Sequence, residues 1–426
     1  NSDYTGNDGP VAISGGNNMR NPLYRAFIDA GVEAGYGETQ DYNGYRQEGF
    51  GQKFMNVDRG IRASTSHAYI NNGKKRANLT ILKRGLVTRI NFEGKTATGI
   101  QCQIGGRIKT FNAEREVILC AGAIGSPQLL QVSGVGSKQC LENAGIDLVH
   151  ELPGVGENLQ DHLEFNFQYS CKQPISLNSE LGLFKKAIIG VQWLLFKTGL
   201  GRTNHFESCA FIRSRAGVKW PDIQYHFLPG AITYDGSVAF KGHGFQVHVG
   251  HNKPTSRGHV RAQSGDIKQH PEILFNYLAT EEDRQGFRDC VHLTREIMAQ
   301  PAMDAFRGEV IQPSSDIQSD AEIDAFVRKS VDSAYHPAGT CKIGVDSMAV
   351  VDPELRVHGL ERIRVIDSSV FPTVPNGNLN APTMMVAERG ADLIRGQRAQ
   401  LSEPAAVYVD QQWQDRQKEG TALRSA

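Results

Sequence analysis

A histidine and a stretch rich in asparagine give the last third of the chain its most reactive side chains. His336 lies in Tyr-His-Pro-Ala-Gly-Thr-Cys at 335–341, and Asn-Gly-Asn-Leu-Asn follows at 376–380. An imidazole titrates near neutral pH and can act as a base. A histidine before proline is more often an ordinary loop or core residue, so the surrounding sequence must decide between the two interpretations.

Small residues dominate the segment from Gly122 to Gly136, directly after an apolar run at 116–120. The run has the length of a buried strand, and the next residues predict a helix that Ser126 caps and Pro127 begins. Small residues at a turn from strand to helix allow a cofactor to approach the backbone. Taken by itself, such a turn more often serves packing alone.

Other combinations of reactive residues are weak or absent. Gly154 and Gly156 form only Gly-x-Gly, and no Gly-x-Gly-x-x-Gly dinucleotide fingerprint occurs. No Gly-x-Ser-x-Gly sequence supports a hydrolase. His248 and His251 stand in a strand-like context, where residues three apart point to opposite faces and chelate a metal poorly. We therefore predict no metal site.

The composition is that of a globular enzyme. The 46 basic and 46 acidic residues balance, whereas proteins that grip nucleic acid normally carry a basic excess. A length of 426 residues exceeds what one core usually serves, which predicts two domains. Seven cysteines without Cys-x-x-Cys spacing favour free thiols and a reducing compartment. The apolar run at 187–196 is too short to span a membrane, and the first ten residues do not resemble a signal peptide.

Periodicity and turn residues predict the elements that must position these segments. The first third should contain helices and β-strands: helix 22–34, strands 79–82, 86–92, 98–103, 107–111 and 116–120, and helix 127–132. The middle should be an α+β region inserted into another fold: strands 223–228, 245–249, 259–262 and 273–275, and helices 183–196, 281–298 and 321–329. The polar tail at 401–426 has no periodic pattern, and we expect it to be loosely ordered.

The helix predicted at 183–196 has an apolar face with lysines nearby. Its apolar residues are Phe184, Ile188, Val191 and Leu195. This pattern is more often found on a core-facing helix than on a membrane-surface helix, so we predict that the face is buried.

The longest motifs resemble the glucose–methanol–choline (GMC) family of flavin oxidoreductases. Residues 122–136 fit the second signature of that family, and residues 152–162 resemble the segment that joins its flavin domain to its substrate domain. The C-terminal block is also similar: a histidine precedes Pro-x-Gly-Thr, Val351-Asp352 follows, and then comes Arg-Val-x-Asp-x-Ser at 364–369. In the family a second histidine or asparagine then precedes a long helix, which would run from about 383 to 394 here.

Motifs in the middle of the chain resemble the choline dehydrogenase branch of that family, at 204–207, 211–214, 223–229, 255–261 and 294–302. The resemblance covers about 21–396 and implies α/β plus α+β architecture, with a discontinuous FAD-binding domain and an antiparallel substrate sheet. The implied domains are an FAD-binding domain at 1–150, with a lid or loop at its start, and at 333–400, a substrate domain at 151–332, and a tail at 401–426.

The lack of a dinucleotide fingerprint leads to a further expectation. We expect that the N-terminal Rossmann part is missing and that these residues alone bind FAD weakly or not at all.

The resemblance also implies site residues. His336 would be the catalytic base and Asn378 the second catalytic residue, with Asn380 as a competing register. FAD would be contacted by Val87, Asp367, Ser368, Asn380 and Thr383. A quaternary ammonium is recognised by aromatic faces and a carboxylate, which would be Tyr335 and Glu207. A surface or salt-bridged role for Glu207 is an equal alternative.

The implied activity is oxidation of choline to betaine aldehyde, and onward to glycine betaine as an open extension, by hydride transfer to flavin N5. An oxidase using O₂, a dehydrogenase of another primary alcohol and an inactive binding protein remain alternatives. Ala334 is smaller than the valine of the choline oxidase pattern, which favours a dehydrogenase with a quinone or another respiratory acceptor. The resemblance implies a cytoplasmic protein, with peripheral association to the inner, respiratory membrane left open, and no nucleic-acid partner.

Overall fold

The computed structural model describes residues 4–70, 76–233, 239–397, 405–418 and 420–421. Within these ranges lie seven α-helices: α1 (Pro22–Glu33), α2 (Gly122–Val132), α3 (Lys138–Asn143), α4 (Leu183–Phe196), α5 (Glu281–Met298), α6 (Asp320–Ser330) and α7 (Asn380–Ile394). The predictions for α1, α4, α5 and α6 are confirmed to within one residue at each end. Asn21 caps α1 by accepting the N–H of Leu23, and Pro22 takes the first helical position.

The same ranges contain eighteen strands: β1 (Gly49–Gln52), β2 (Val57–Asp58), β3 (Ile61–Arg62), β4 (Gly85–Glu93), β5 (Thr96–Ile104), β6 (Arg107–Asn112), β7 (Val117–Leu119), β8 (Val135–Gly136), β9 (His150–Glu151), β10 (Leu163–Cys171), β11 (Ser208–Ile212), β12 (Ile223–Leu228), β13 (Gly244–His251), β14 (His259–Arg261), β15 (Glu272–Leu274), β16 (Arg307–Gln312), β17 (Asp332–Ser333) and β18 (Ile363–Val365). The strand predicted at 79–82 is wrong: that segment is exposed and irregular, because no described strand lies beside it to pair with its backbone.

A seven-stranded antiparallel sheet forms the larger half of the structure. Its order is β1-β11-β12-β13-β10-β16, and β17 pairs with the other end of β10. Side chains alternate between the two faces of a strand. On one face Phe167, Tyr225 and Val247 form an apolar core with α1, α5 and α6. The neighbouring residues in sequence, among them His226 and His248, therefore face the opposite side.

α1 and β1 belong to this larger half, although both lie within the predicted FAD-binding domain at 1–150. β1 pairs with β11, and α1 packs on the apolar face of the sheet. Phe27 of α1 stacks on Phe227 with ring centroids 4.9 Å apart. The sequence does not reveal this pairing, because it joins strands that are far apart in the chain.

The smaller half has a second core built on the parallel pair β7 and β18. Val117 lies opposite Ile363, and Leu119 lies opposite Val365. These four residues are buried in the second core, while Arg364 in the middle of β18 pairs with Glu116 at 2.7 Å. The predicted meander is confirmed as the sheet β4-β5-β6. Ala262, directly after β14, packs in this second core although it lies within the predicted substrate domain at 151–332.

The predicted start of α2 is wrong, because the helix begins at Gly122 and not at Pro127. Ser126 does not cap it. The Ser126 hydroxyl donates to Oδ2 of Asp367 at 2.5 Å and accepts the N–H of Ala121 at 3.0 Å. The serine therefore ties the first turn of the helix to the strand end at Asp367.

Pro127 inside α2 explains the position of Thr340. Proline has no N–H, so the carbonyl of Ala123 one turn earlier lacks its helical partner. The hydroxyl of Thr340 donates to that carbonyl at 2.6 Å. The threonine of the His-Pro-x-Gly-Thr motif thus satisfies the backbone of the glycine-rich motif and links the two segments.

The prediction that α4 has a buried apolar face is wrong. Its apolar residues are between half and four-fifths exposed: Phe184, Ile188, Val191 and Leu195. The helix is held on its other side, where the indole N–H of Trp193 donates to the carbonyl of Gly60 at 2.7 Å. Periodicity specifies an apolar face but not what covers it. No helix within the described ranges is both long enough and apolar enough to cross a bilayer.

The tail was predicted to be loosely ordered, but residues 405–418 pack against the larger half. The guanidinium of the buried Arg213 donates to Asp410 at 2.8 Å and to Glu48 at 2.9 Å. Gln417 returns a hydrogen bond to the carbonyl of Arg213 at 2.7 Å. These partners are distant in sequence, so a search for periodicity cannot find them.

Replacing Asp410 by asparagine should lower the free energy of unfolding by roughly 2 kcal/mol, because Arg213 would lose a charged partner while remaining buried. Urea unfolding measures this change. Asp415→Asn, at an exposed position of the same segment, is the matched control and should change the free energy by less than about 0.5 kcal/mol. Equal effects of the two changes would contradict an ordered tail.

Candidate active site

His336 and Asn378 lie together although different segments supply them. His336 follows β17, and Asn378 comes two residues before α7. Nδ2 of Asn378 is 3.3 Å from Nε2 of His336. Asn380, the competing register, bonds elsewhere: its Nδ2 donates to Oδ1 of Asn56 at 3.0 Å. The structure therefore brings Asn378 to the histidine and directs the Asn380 side chain elsewhere.

Asp161 holds the loop that carries His336. Its Oδ1 accepts the backbone N–H of His336 at 2.9 Å, and its Oδ2 accepts the hydroxyls of Ser333 and Tyr277 at 2.5 and 2.7 Å. Burial raises the pKa of this carboxyl group. Sequence reasoning missed Asp161, because it lies in a segment that was interpreted only as a connection between domains. The sequence did contain a signal for this role, because Asp161 is followed directly by a second histidine, His162.

That second histidine, His162, is the nearest ionisable neighbour of His336 on the side away from Asn378. The Nδ1 atoms of the two rings are 3.0 Å apart, and Nε2 of His162 is 3.0 Å from the backbone carbonyl of Asn252. His162 is 3% exposed, and burial lowers its pKa to about 3. It is therefore a neutral imidazole at physiological pH.

Asn378 is in turn held by the large sheet. Nε2 of Gln224, on β12, donates to Oδ1 of Asn378 at 3.1 Å. Gln224 belongs to the polar face of the sheet, since its neighbours Ile223 and Tyr225 point into the apolar core. The pair thus lies where the loop segments of the smaller half meet this polar face.

The same polar face carries a cluster of charged side chains that sequence reasoning did not bring together. Nζ of Lys53 lies 2.5 Å from Nδ1 of His226, and Nδ1 of His248 lies 2.9 Å from Oε1 of Glu164. The ring of Phe206 contacts both imidazoles edge-on, with centroids 6.1 and 5.3 Å away. Strand alternation predicts the face on which each histidine lies within its own strand. The sequence does not show that β12 pairs with β13, which places His226 directly opposite His248.

These surroundings keep His336 neutral. Burial lowers its pKa to about 4, the carboxylate of Glu164 opposes the shift, and the ammonium of Lys53 adds to it. Burial also lowers the pKa of Lys53 to about 8. A neutral imidazole with a free nitrogen can accept a proton, so the site has a base available well below pH 7.

Glu207 is 1% exposed and its carboxylate holds the N-terminal loop. Oε1 accepts the N–H of Asn17 at 2.8 Å and the hydroxyl of Thr203 at 2.7 Å, and Oε2 accepts the N–H of Met19 at 2.7 Å. Its own carbonyl accepts the N–H of Lys53 at 2.9 Å, which continues the β1–β11 ladder. The negative charge is thus close to the polar face, but its oxygens already have donors.

Tyr335, the predicted aromatic contact for substrate, directly precedes His336 and has a left-handed backbone with φ 63°. Its side chain is 75% exposed. Among the described residues, the aromatic ring packed against the polar cluster is that of Phe206 rather than that of Tyr335.

Val87, a predicted FAD contact, lines a groove between the meander and the start of α2. The groove has a volume of about 630 Å³, and its walls are mostly apolar or small residues: Ile100, Phe111, Cys120, Ala121, Gly125 and Leu129. A groove with small residues at a strand-to-helix turn can admit a flat ring system close to the backbone.

Asp367 and Ser368, also predicted FAD contacts, lie at the end of β18. The carboxylate of Asp367 is fully engaged: Oδ2 accepts the N–H of Gly122 at 2.9 Å and the hydroxyl of Ser126, while Oδ1 accepts the N–H of Ser369 at 2.8 Å. Asp367 therefore shapes the turn beside the groove. Ser368 is half-buried next to it.

The remaining two predicted FAD contacts, Asn380 and Thr383, lie in the first turn of α7. The helix has no side-chain cap, so its first N–H groups remain available to an acceptor. The hydroxyl of Thr383 donates to the carbonyl of Leu379 at 2.8 Å.

Comparison with known proteins gives this arrangement its context. Two models of the GMC oxidoreductase family match the chain, one over residues 4–164 and the other over 254–387. The chain belongs to the GMC oxidoreductase family. The prediction of a missing N-terminal Rossmann part is not supported, because the N-terminal family model matches from residue 4 onward. The absence of a Gly-x-Gly-x-x-Gly sequence was too weak a reason for it.

Similar proteins include a curated relative and two solved structures. An oxygen-dependent choline dehydrogenase of Photobacterium profundum is 59% identical over 99% of this chain and 75% of its own length. A pyridoxine 4-oxidase of Mesorbium loti superposes with a TM-score of 0.81 at 28% identity, over 92% of this chain and 74% of that one. An FAD-dependent oxidoreductase of Chaetomium thermophilum has a TM-score of 0.81 at 25% identity, over the same shares of both chains.

The charges around His336 predict how activity depends on pH. Base catalysis needs the neutral imidazole, so kcat/KM should rise with pH through a pKa well below 6.5 and then level off. Lys53→Met removes a cation that lowers this pKa, and should move the acid limb to higher pH by roughly half a unit to one unit. Glu164→Gln removes an anion that raises it, and should move the limb to lower pH.

Lys109→Met, at an exposed lysine of β6, is the control for losing a positive charge, and its profile should match the wild type. Shifts of the same sign in the Lys53 and Glu164 variants would show that these charges do not act on His336.

Proposed function

We propose that this chain is an FAD-dependent choline dehydrogenase that oxidises choline to betaine aldehyde at the pair His336 and Asn378. The observation that carries the proposal is the 3.3 Å contact between a neutral imidazole nitrogen and an amide N–H, placed against the polar face of the large sheet. The 59% identity to the Photobacterium relative supports choline as the alcohol.

The residues present fit FAD. The groove lined by Val87 and the turn shaped by Asp367 would hold the adenine and the linking arm, while the uncapped start of α7, at Asn380 and Thr383, would face an electronegative edge of the flavin ring. Ser368 would lie beside the linking arm. When bound, the flavin supplies a two-electron acceptor for hydride, which no side chain can provide.

The side chains of the pair carry out the proton chemistry. Nε2 of His336 takes the hydroxyl proton of the alcohol, so that the O–H bond breaks and its electron pair stays on the substrate oxygen. Nδ2 of Asn378 donates a hydrogen bond to that oxygen as negative charge develops. Glu164, whose charge favours the protonated ring, stabilises the imidazolium that results.

Recognition of the quaternary ammonium falls to the carboxylate of Glu207 and to aromatic faces. Such a cation cannot donate an ordinary hydrogen bond, so charge and aromatic quadrupoles must attract it. The three donors on Glu207 fix the position of its carboxylate. The ring of Phe206 packs against those of His226 and His248, and Tyr335 supplies an exposed ring directly before His336 in the chain.

We further propose that the enzyme is cytoplasmic, passes electrons to a quinone or another respiratory acceptor and associates peripherally with the inner membrane. The exposed apolar face of α4 supports membrane contact, since Lys185 and Lys186 on the same helix suit an anionic lipid surface. A large exposed apolar face is unusual on a protein surface that contacts only water.

The deciding experiment mixes the flavin-loaded enzyme with choline in the absence of oxygen and follows the flavin absorbance. Rapid bleaching supports choline as the reductant, and reoxidation by a quinone faster than by O₂ supports a dehydrogenase. A flavin that another primary alcohol bleaches and choline does not would refute the substrate. Failure of the protein to bind flavin would refute the whole proposal.

Glu207→Gln should raise KM for choline roughly tenfold or more, because it removes the anion that attracts the ammonium. The neutral isostere 3,3-dimethylbutan-1-ol should show a change in KM of only about twofold. Steady-state kinetics with both alcohols measure this difference. Thr203→Val removes one hydrogen bond to Glu207 without removing charge, so it controls for a loosened N-terminal loop. Equal effects of Glu207→Gln on the two alcohols would exclude a role in binding the cation.

Replacing both Phe184 and Leu195 by aspartate should reduce binding to vesicles of mixed phosphatidylglycerol and phosphatidylcholine by roughly tenfold or more. Vesicle sedimentation measures the bound fraction. The matched control carries aspartate at Val345 and Ile108, which are exposed apolar residues on other elements. Unchanged sedimentation of the α4 variant would exclude this helix as the membrane contact.

A further inference from the structure

The catalytic pair lies in the middle of one unbroken series of hydrogen bonds. The series starts at the backbone carbonyl of Asn252, 3.0 Å from Nε2 of His162, and continues from Nδ1 of His162 to Nδ1 of His336 at 3.0 Å. It then runs from Nε2 of His336 to Nδ2 of Asn378 at 3.3 Å, and from Oδ1 of Asn378 to Nε2 of Gln224 at 3.1 Å.

The carbonyl at one end determines where the protons lie on both rings. A backbone carbonyl can only accept, so Nε2 of His162 must carry the proton. A neutral imidazole has one N–H, which leaves Nδ1 of His162 as an acceptor. Nδ1 of His336 must therefore be protonated and must donate to it. The other nitrogen of His336, Nε2, is left with a free lone pair.

The amide at the other end determines the orientation of Asn378. The side-chain N–H of Gln224 donates to Oδ1 of Asn378, which places Nδ2 on the side of His336. A reversed amide would set two donors against each other at Gln224 and two lone pairs at His336. The hydrogen bonds at His336 and at Gln224 are therefore both satisfied in this orientation and not in the reversed one.

We propose that His162 and Gln224 are positioning residues: His162 fixes the tautomer of His336, and Gln224 fixes the amide of Asn378, so that a lone pair and an N–H converge on one substrate oxygen. The identity of that oxygen rests on the proposed function, whereas the arrangement of protons follows from the contacts alone. The arrangement matches the reaction, in which one group must accept the hydroxyl proton while the other donates to the same oxygen.

The opposite tautomer of His336 is disfavoured at both of its nitrogens. With the proton on Nε2, the bare Nδ1 would face the bare Nδ1 of His162, and the new N–H would face the N–H of Asn378. Each contact would become repulsive in a buried setting where water does not compensate. In that tautomer His336 could not act as a base toward the substrate, because Nε2 would hold no lone pair.

The proton that His336 takes from the substrate stays on that residue. The imidazolium still donates from Nδ1 to His162, so this hydrogen bond survives the reaction and strengthens as the donor becomes charged. His162 does not pass the proton onward, because its Nε2–H donates to a backbone carbonyl, which cannot take up a proton. The role of His162 is therefore orientation and not proton relay.

Two substitutions at His162 separate positioning from packing. His162→Phe keeps a ring but removes the acceptor for Nδ1 of His336, whereas His162→Asn retains an acceptor near that position. Anaerobic stopped-flow reduction of the flavin by choline should be roughly tenfold to a hundredfold slower for the phenylalanine variant, with KM little changed, and largely restored for the asparagine variant. Equal losses in both variants, or a loss confined to KM, would overturn the proposal for His162.

The tautomer itself can be observed without turnover. Nitrogen-15 NMR of histidine-labelled holoenzyme should show His336, assigned by its loss in His336→Gln, with Nδ1 protonated and Nε2 bare. Gln224→Glu replaces the donor to Asn378 by an acceptor, so it should flip the amide and shift the nitrogen-15 resonance of Nε2 of His336, which loses its hydrogen bond, while His162 keeps the His336 proton on Nδ1. Gln168→Glu introduces the same charge on the same sheet face outside the series, and should leave the Nε2 resonance of His336 unchanged.

The outcomes distinguish this proposal from the proposed function. A wild-type spectrum with Nε2 of His336 protonated, or a Gln224→Glu spectrum identical to the wild type, would overturn the positioning roles even if choline reduces the flavin. The expected tautomers in an enzyme that choline does not reduce would support the positioning roles and refute only the choice of substrate.

Discussion

The seven-stranded sheet has one apolar face and one polar face, and the rest of the structure depends on this division. Strand alternation sends Tyr225 and Phe227 into the core and sends Gln224 and His226 to the other side. A shift of one residue in the pairing of β12 would exchange the two sets. The apolar packing of α1 on the sheet therefore fixes the register that aims the polar side chains at His336.

Burial of the polar face determines the protonation states of the site. Removing imidazole from water disfavours its charged form, which is why His162 and His336 both have low pKa values. Lys53 and Glu164 then act on His336 in opposite directions. The site contains a base that is ready to accept a proton and a nearby anion that stabilises the cation it becomes. General base catalysis benefits from both: a neutral base before the reaction and a stabilised imidazolium after it.

Hydrogen bonds tie the segment that carries His336 and Thr340 to both halves of the structure, which have separate cores. Thr340 satisfies the carbonyl that Pro127 leaves open, and Asp367 holds the first turn of α2. Asp161 anchors the loop of His336 from the segment that enters β10. These contacts lie immediately beside the catalytic loop and the groove lined by Val87. Stability of the junction and accuracy of the site therefore come from the same contacts.

Local patterns in the sequence predicted much of the fold. The bounds of α4, α5 and the meander follow from periodicity and turn residues, since both act over a few positions. The same reasoning failed where the deciding partner was remote. The start of α2 depends on Asp367 and Thr340, the order of the tail depends on Arg213, and the exposure of α4 depends on which side meets Trp193 and Gly60.

The candidate site divides in the same way. Sequence motifs alone pointed to His336 and to a choice between Asn378 and Asn380, because those residues lie in recognisable local segments. Only the tertiary structure placed Asn378 beside His336, assigned the oxygens of Glu207 to the N-terminal loop, and brought His162 and Gln224 to the pair. Hydrogen-bond direction and burial arise between segments that are distant in the chain, and these two properties decide which nitrogen carries a proton.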